Sequence, residues 1–225
     1  MILLLISLAP VITILLYVYF RDKYEKEPIG QLLKGFFSGL LVFVICVFVE
    51  LLISALYSSG NVYVKAFYDG FIVAGFTEEL FKFLAVMLLF WHNRNFNEKF
   101  DGIVYSVFVS LGFAATENIF YVFEGGLSVG ILRAFTAVPA HALFGIIMGF
   151  YIGLARFDEK RSGLLLWSGF FYAWIFHGLY DFLLMTGNAW FVLLEIPFMI
   201  FLIRKALIRM RRLSAESVFI KTDND

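Results

Sequence analysis

Seven apolar runs set the terms for this chain: 2–20, 35–56, 71–91, 102–123, 134–153, 164–184 and 190–203. A helix that crosses a bilayer needs about 20 consecutive apolar residues, and six of the runs are close to that length. The last is short unless it continues through Leu207, with Arg204 and Lys205 snorkelling to the interface. Composition agrees. Apolar residues make up 61% of the chain and charged residues 16%, against about 45–50% and about 25% in a soluble domain. There is too little polar surface to cover a water-soluble globule, and the expected fold is an all-α bundle of about seven transmembrane helices. The runs and their short loops use residues 1–207 as a single domain, with a basic and polar tail over 208–225 expected to be disordered. The first run has no basic stretch before it and is followed at once by Arg21, so it reads as a retained helix rather than a cleaved signal. Trp91 and Trp190 suit the membrane interface. The lone cysteine, Cys46, lies inside an apolar run, so no disulfide framework exists.

Orientation follows from lysine and arginine placement. Arg21, Lys23, Lys26 and Lys34 lie around the first loop, Arg94 and Lys99 in the third, and Arg156, Lys160 and Arg161 in the fifth. Arg204, Lys205, Arg209, Arg211, Arg212 and Lys221 follow the last run. The alternate loops carry only Lys65 and Arg133. Cytoplasmic loops are the basic ones, which places the N-terminus outside and the C-terminus in the cytoplasm. It also favours an odd number of passes.

Ionisable groups within the apolar runs are costly and face the bundle interior. This chain has Glu50 in the second run, Glu78, Glu79 and Lys82 in the third, and Glu117 with Asn118 in the fourth. His141 lies in the fifth, His177 and Asp181 in the sixth, and Glu195 in the seventh. Counting from the outer ends at about 1.5 Å per residue puts Glu78 and Glu79 roughly 10–12 Å deep and Glu117 roughly 9 Å. The same count gives His141 and His177 roughly 10 Å and Asp181 roughly 5 Å. Four helices of alternating direction thus bring polar groups to one level, as a shared cavity open to the outside requires. Glu78 and Lys82 are four apart and can pair on one helix face, as can His177 and Asp181. Adjacent Glu78 and Glu79 diverge by about 100°, so one should face the cavity and the other reach a neighbouring helix. Gly112, Ala114, Ala115, Gly145, Gly149 and Gly153 would let the helices close around them.

Carboxylates and imidazoles converging in a partly desolvated cavity are the parts of water activation. A glutamate takes a proton from water, and a histidine or asparagine donor stabilises the oxyanion. No serine or cysteine is placed as a nucleophile: Ser110 lies deeper than Glu117, and Cys46 has only Glu50 near it in its run. The zincin pattern H-E-x-x-H is absent, so a metal is not demanded. Zinc remains possible, with His141, His177 and Glu78 or Glu79 as its ligands. Simpler readings exist for each residue alone. Glu78–Lys82 could be a structural ion pair, either histidine a satisfied core residue, and His177–Asp181 a helix-end pair. Glu50 and Glu195 lie near helix ends, where they could snorkel or pair, and His92 is a solvated loop residue. Coincidence at one depth is what those separate readings leave unexplained.

Phe76-Thr-Glu78-Glu79-Leu-Phe-Lys82 resembles an E-E-x-x-K motif, and Phe113-Ala-Ala-Thr-Glu117-Asn118 resembles F-x-x-x-E-N. His141-Ala-Leu-Phe-Gly145 resembles H-x-x-x-G, and His177-Gly-Leu-Tyr-Asp181 supplies a final histidine motif. In this order the four resemble the PrsW family of bacterial intramembrane proteases, which is related to the group containing type II CAAX prenyl endopeptidases. The likeness extends to Asp22–Pro28, Asp101–Tyr105, Ser110–Phe113 and Met148–Arg156. It implies a protease of the bacterial cell membrane that makes the first, extracytoplasmic cut in a membrane-spanning anti-sigma factor. That cut leads to release of an envelope-stress sigma factor after a site-2 protease acts on the product. The expected partners are therefore the anti-sigma factor and the bilayer, with no nucleic acid. On this reading Glu78 or Glu79 is the general base and Lys82 tunes it. His141 and His177 orient water or stabilise the oxyanion, Asn118 donates a hydrogen bond, and Glu117 and Asp181 assist. A CAAX-type prenyl endopeptidase would need a cavity open to the cytoplasm. A proton-coupled transporter would use the same buried groups as a relay.

Overall fold

The computed structural model describes residues 1–220, and every regular element among them is helical. The order is α1 (Ile2–Arg21), α2 (Ile29–Ser54), α3 (Val62–Phe67), a π-helical segment (Tyr68–Phe76), α4 (Thr77–Phe90), α5 (Asp101–Phe135), α6 (Ala137–Arg156), α7 (Ser162–Met185) and α8 (Ala189–Ala215). Local chemistry sets several ends. Asn61 caps α3, its Oδ1 accepting from the amides of Tyr63 and Val64 at 2.9 and 3.3 Å. Asn188 caps α8 in the same way, accepting from the Trp190 amide at 2.9 Å, just after Gly187 turns the chain at φ +62°. The expected apolar runs fall on these helices, with α3, the π-helical segment and α4 continuous over 62–90.

Each outer helix divides between lipid and bundle. On α2, Leu33, Phe37, Leu41, Phe48 and Leu52 are exposed, while Leu32, Gly35, Gly39, Val42 and Cys46 face inward. Both faces are apolar, as a helix between hydrocarbon and protein requires. The stretches Ile2–Arg21, Ile29–Ser54 and Asp101–Arg156 are long and apolar enough to cross a membrane. The last is mostly buried, so the α5–α6 hairpin forms the centre of the bundle.

Close contacts at glycines set the register of that centre. A Cβ on Gly102 would stand 2.5 Å from the Gly149 carbonyl oxygen, and one on Gly145 would stand 2.8 Å from Ser110 Oγ. Continuing this antiparallel seam along the two helices brings Glu117 of α5 opposite His141 of α6. The α2–α5 crossing is equally tight: a Cβ on Gly112 would meet the Phe36 carbonyl oxygen at 2.0 Å. Gly112→Ala should therefore destabilise the protein by at least about 1–3 kcal/mol. Gly30→Ala, in the first turn of α2 with nothing within 4 Å, should be neutral or stabilise by up to about 1 kcal/mol. Thermal unfolding of the two variants in detergent checks the contrast.

Two boundaries differ from expectation. The fourth run does not end near Phe123: helix continues to Phe135 past a break at Gly126, where φ is +77°. The last helix does not stop at Leu207. It runs to Ala215 with Met210 and Leu213 buried, so residues 208–215 belong to the helix rather than to a disordered tail. The remainder of that tail from 221, Lys221 included, lies outside the described residues.

Candidate active site

The π-helical segment delivers the first half of the site. Its extra residue per turn is a form that tends to mark functional positions. A Cβ on Gly75 would meet the Gly178 amide nitrogen at 3.0 Å, and Trp174 Nε1 donates to the Phe71 carbonyl at 2.6 Å. The segment is thus held against the backbone of α7 one residue from His177. The first turn of α4, with Glu78 and Glu79, follows directly.

Lys82 organises what stands there. Its side chain is 0% exposed, and Nζ donates to Glu78 Oε2 at 2.8 Å and to Glu79 Oε1 at 2.9 Å. It also lies 3.2 Å from His141 Nδ1. An ammonium only donates, so Nδ1 of His141 accepts and its Nε2–H donates to Glu117 Oε2 at 2.9 Å. All three ammonium protons are spent, and both nitrogens of His141 are engaged. On the other side, His177 Nδ1 lies 2.8 Å from Glu79 Oε1. Its Nε2 is 3.4 Å from Asp181 and 3.9 Å from Glu78, and Phe144 stacks on the ring at 4.9 Å between centroids. Glu79 is wholly buried, clamped between Lys82 and His177, whereas Glu78 retains 5% exposure. Glu79 thus reaches the neighbouring helix and Glu78 keeps the accessible face, as their divergence around α4 predicts.

Glu117 and Asn118 are braced by a residue that the sequence placed in an outer loop. Past the break at Gly126 the chain returns Arg133, whose Nη2 donates to Glu117 Oε2 at 2.7 Å and whose Nε donates to Asn118 Oδ1 at 2.8 Å. Asn118 Nδ2 in turn donates to the Ser7 carbonyl of α1 at 2.8 Å. Asn118 therefore ties α1 to α5 through its oxygen and one of its two amide protons. The Gly125-Gly126 pair was the signal in the sequence that the chain could turn back there. Glu50 and Glu195 are also not where they were expected. Glu195 has both oxygens buried without a partner rather than snorkelling to an interface, and Glu50, half-buried, has Oε1 in the same state.

A helical bundle with lipid-facing sides, enclosing a buried constellation of two glutamates, two histidines and a lysine, is a membrane-embedded hydrolase in build. Over residues 27–207 the chain matches the family described as PrsW family intramembrane metalloprotease. It is 38% identical over 197 residues to Protease PrsW of Bacillus subtilis (strain 168), covering 87% of this chain and 88% of that protein. It is 37% identical over 184 residues to Protease PrsW of Geobacillus kaustophilus (strain HTA426), covering 82% and 80%. Against Protease PrsW of Clostridioides difficile (strain 630) it is 34% identical over 204 residues, covering 88% and 85%. No solved structure matches the chain. The chain belongs to the PrsW family of intramembrane proteases.

The family description raises the question of a metal. Glu78, Glu79, His141 and His177 each offer a ligand atom, all within 4.8 Å of one another, and two imidazoles with carboxylates are a zinc-type donor set. Lys82 does not fit that use. Its ammonium holds three of the four donors at 2.8–3.2 Å. A zinc ion at about 2.0–2.2 Å from the same atoms would share their space with a buried positive charge. As placed, these residues are arranged around an ammonium.

Proposed function

We propose that this protein makes the first, extracytoplasmic-side cut in a membrane-spanning anti-sigma factor, so that a site-2 protease can finish the release of an envelope-stress sigma factor. The observation that carries an endopeptidase reading is the single hydrogen-bonded cluster into which α4, α5, α6 and α7 bring Glu78, Glu79, Lys82, Glu117, His141 and His177. The anti-sigma factor comes from the resemblance to the PrsW family. The outer side comes from the loop charges, which also support seven passes through the bacterial cell membrane with the N-terminus outside.

In this mechanism Glu78 accepts a proton from water as the water oxygen attacks the scissile carbonyl carbon. Glu79, held by Lys82, accepts from Nδ1–H of His177, and in its imidazolium form His177 donates from Nε2–H to the developing oxyanion. Collapse of the tetrahedral intermediate breaks the C–N bond, and Glu78 returns its proton to the departing amine. His141 positions Lys82, with its own Nε2–H held by Glu117 and Arg133. Because the Lys82 ammonium occupies the space between Glu78, Glu79 and His141, no metal is assigned a role.

Incubating the purified protein in detergent with a membrane-spanning anti-sigma factor should yield a new fragment, and a Glu78→Ala/Glu79→Ala double variant should yield none. An uncut substrate with the parent, or a cut one with the double variant, overturns the proposal. The parental rate should also survive an excess of chelator. Loss of cleavage with EDTA and its recovery with zinc would instead return the site to the metal reading.

A further inference from the structure

A second set of acidic side chains lies at the other end of α5, roughly 24 Å along the helix from Glu117. Asp22, Glu25 and Glu27 come from the α1–α2 connection, Glu98 from the loop before α5, and Asp101 from the first turn of α5. Asp22, Glu27, Glu98 and Asp101 are 0–4% exposed. Glu25, Glu27 and Asp101 each offer a carboxylate oxygen, and these atoms lie within 4.8 Å of one another.

Part of the set is satisfied by the protein. Asp101 Oδ2 accepts from the amides of Asn97 and Glu98, both at 2.8 Å, and Glu27 Oε2 accepts from the Tyr105 hydroxyl. Asp101 Oδ1, Glu27 Oε1, Glu25 Oε2 and Asp22 Oδ1 are out of solvent with no hydrogen-bond partner. Two nearby lysines are committed elsewhere. Lys26 Nζ donates to the Tyr19 carbonyl at 3.1 Å and lies over the Tyr19 ring, while Lys99 pairs with Glu216 at 2.8 Å. Among the described residues none of the five carboxylates is in a salt bridge. Four buried, unpartnered carboxylate oxygens in one place are costly, and a cation removes that cost.

We propose that Glu25, Glu27 and Asp101 hold a hard divalent cation of the magnesium or calcium class, which fastens the α1–α2 connection to the start of the central helix. The oxygen-only donor set suits those ions rather than zinc or copper.

Manganese(II), whose free form gives a sharp paramagnetic resonance signal, serves as the probe. Titrated into the detergent-purified protein, it should lose that signal saturably, and added magnesium or calcium should restore it. Glu25→Gln changes a half-buried side chain whose Oε2 has no protein partner. It should abolish the binding, as should Asp101→Asn. Glu78→Gln should bind as the parent does, since its site is separate. A parental signal that stays free, or equal binding by Glu25→Gln, overturns the proposal. So does binding that disappears in Glu78→Gln, because the ion would then belong to the other cluster.

Discussion

A Glu78→Gln protein should fold and insert like its parent and cut its substrate about 10²–10⁴-fold more slowly, the range for removing a general base. Glutamine keeps the shape of the side chain and an oxygen that can accept from Lys82 Nζ, now 2.8 Å from Glu78 Oε2. Glu79 remains as the ionic partner of the ammonium at 2.9 Å, so the cluster should hold. What is lost is the one carboxylate of the adjacent pair that retains any exposure, and with it the acceptor for the proton of water. Glu79→Gln should slow the reaction for a different reason, by loosening His177 from the 2.8 Å contact at Nδ1. Single-turnover cleavage of a reconstituted substrate, beside thermal unfolding of each variant in the same detergent, separates the two effects. If Glu78→Gln cleaves at the parental rate, the base is assigned to the wrong side chain.

That assignment shows which parts of the site a linear sequence can carry. Pairs within one helix are readable from spacing alone, because residues four apart share a face. Lys82 with Glu78 and His177 with Asp181 were of this kind, and the structure places both pairs in proximity. Equal depth across helices was readable too, since rise per residue turns sequence position into height. Contacts that depend on where the chain bends were not. Arg133 reaches Glu117 past Gly126, where φ is +77°; the Gly125-Gly126 pair marks where the chain can turn but not the direction it then takes. With Arg133 counted as a loop charge, Asn118 looked like a free donor, and its bond to Ser7 of α1 could not be foreseen. The orphaned oxygens of Glu50 and Glu195 were hidden for a related reason. Position along a helix gives depth, but only the packed bundle decides whether a carboxylate at that depth meets a partner.

Lys82→Met should be the most damaging single change in the protein. Its side chain is fully buried and its three protons go to Glu78, Glu79 and His141. Methionine fills similar volume but leaves adjacent carboxylates facing each other without a cation. Removing one partner from a buried ionic cluster costs about 3–5 kcal/mol, a large fraction of the stability of an ordinary domain. His141 is affected as well: with no donor at Nδ1, its tautomer is no longer dictated, and the bond from Nε2 to Glu117 is free to break. Low yield in membranes and a much lower unfolding temperature should accompany loss of cleavage. The cause is charge rather than volume, so a Lys82→Met/Glu78→Gln/Glu79→Gln protein should regain most of the stability while staying inactive, because the uncompensated charges go with their partner. If the triple variant is as unstable as Lys82→Met, the lysine acts by packing against Phe113, over whose ring it sits at 4.0 Å. In that case the ammonium-centred account of the site fails, and the four donors around it regain their claim to a metal.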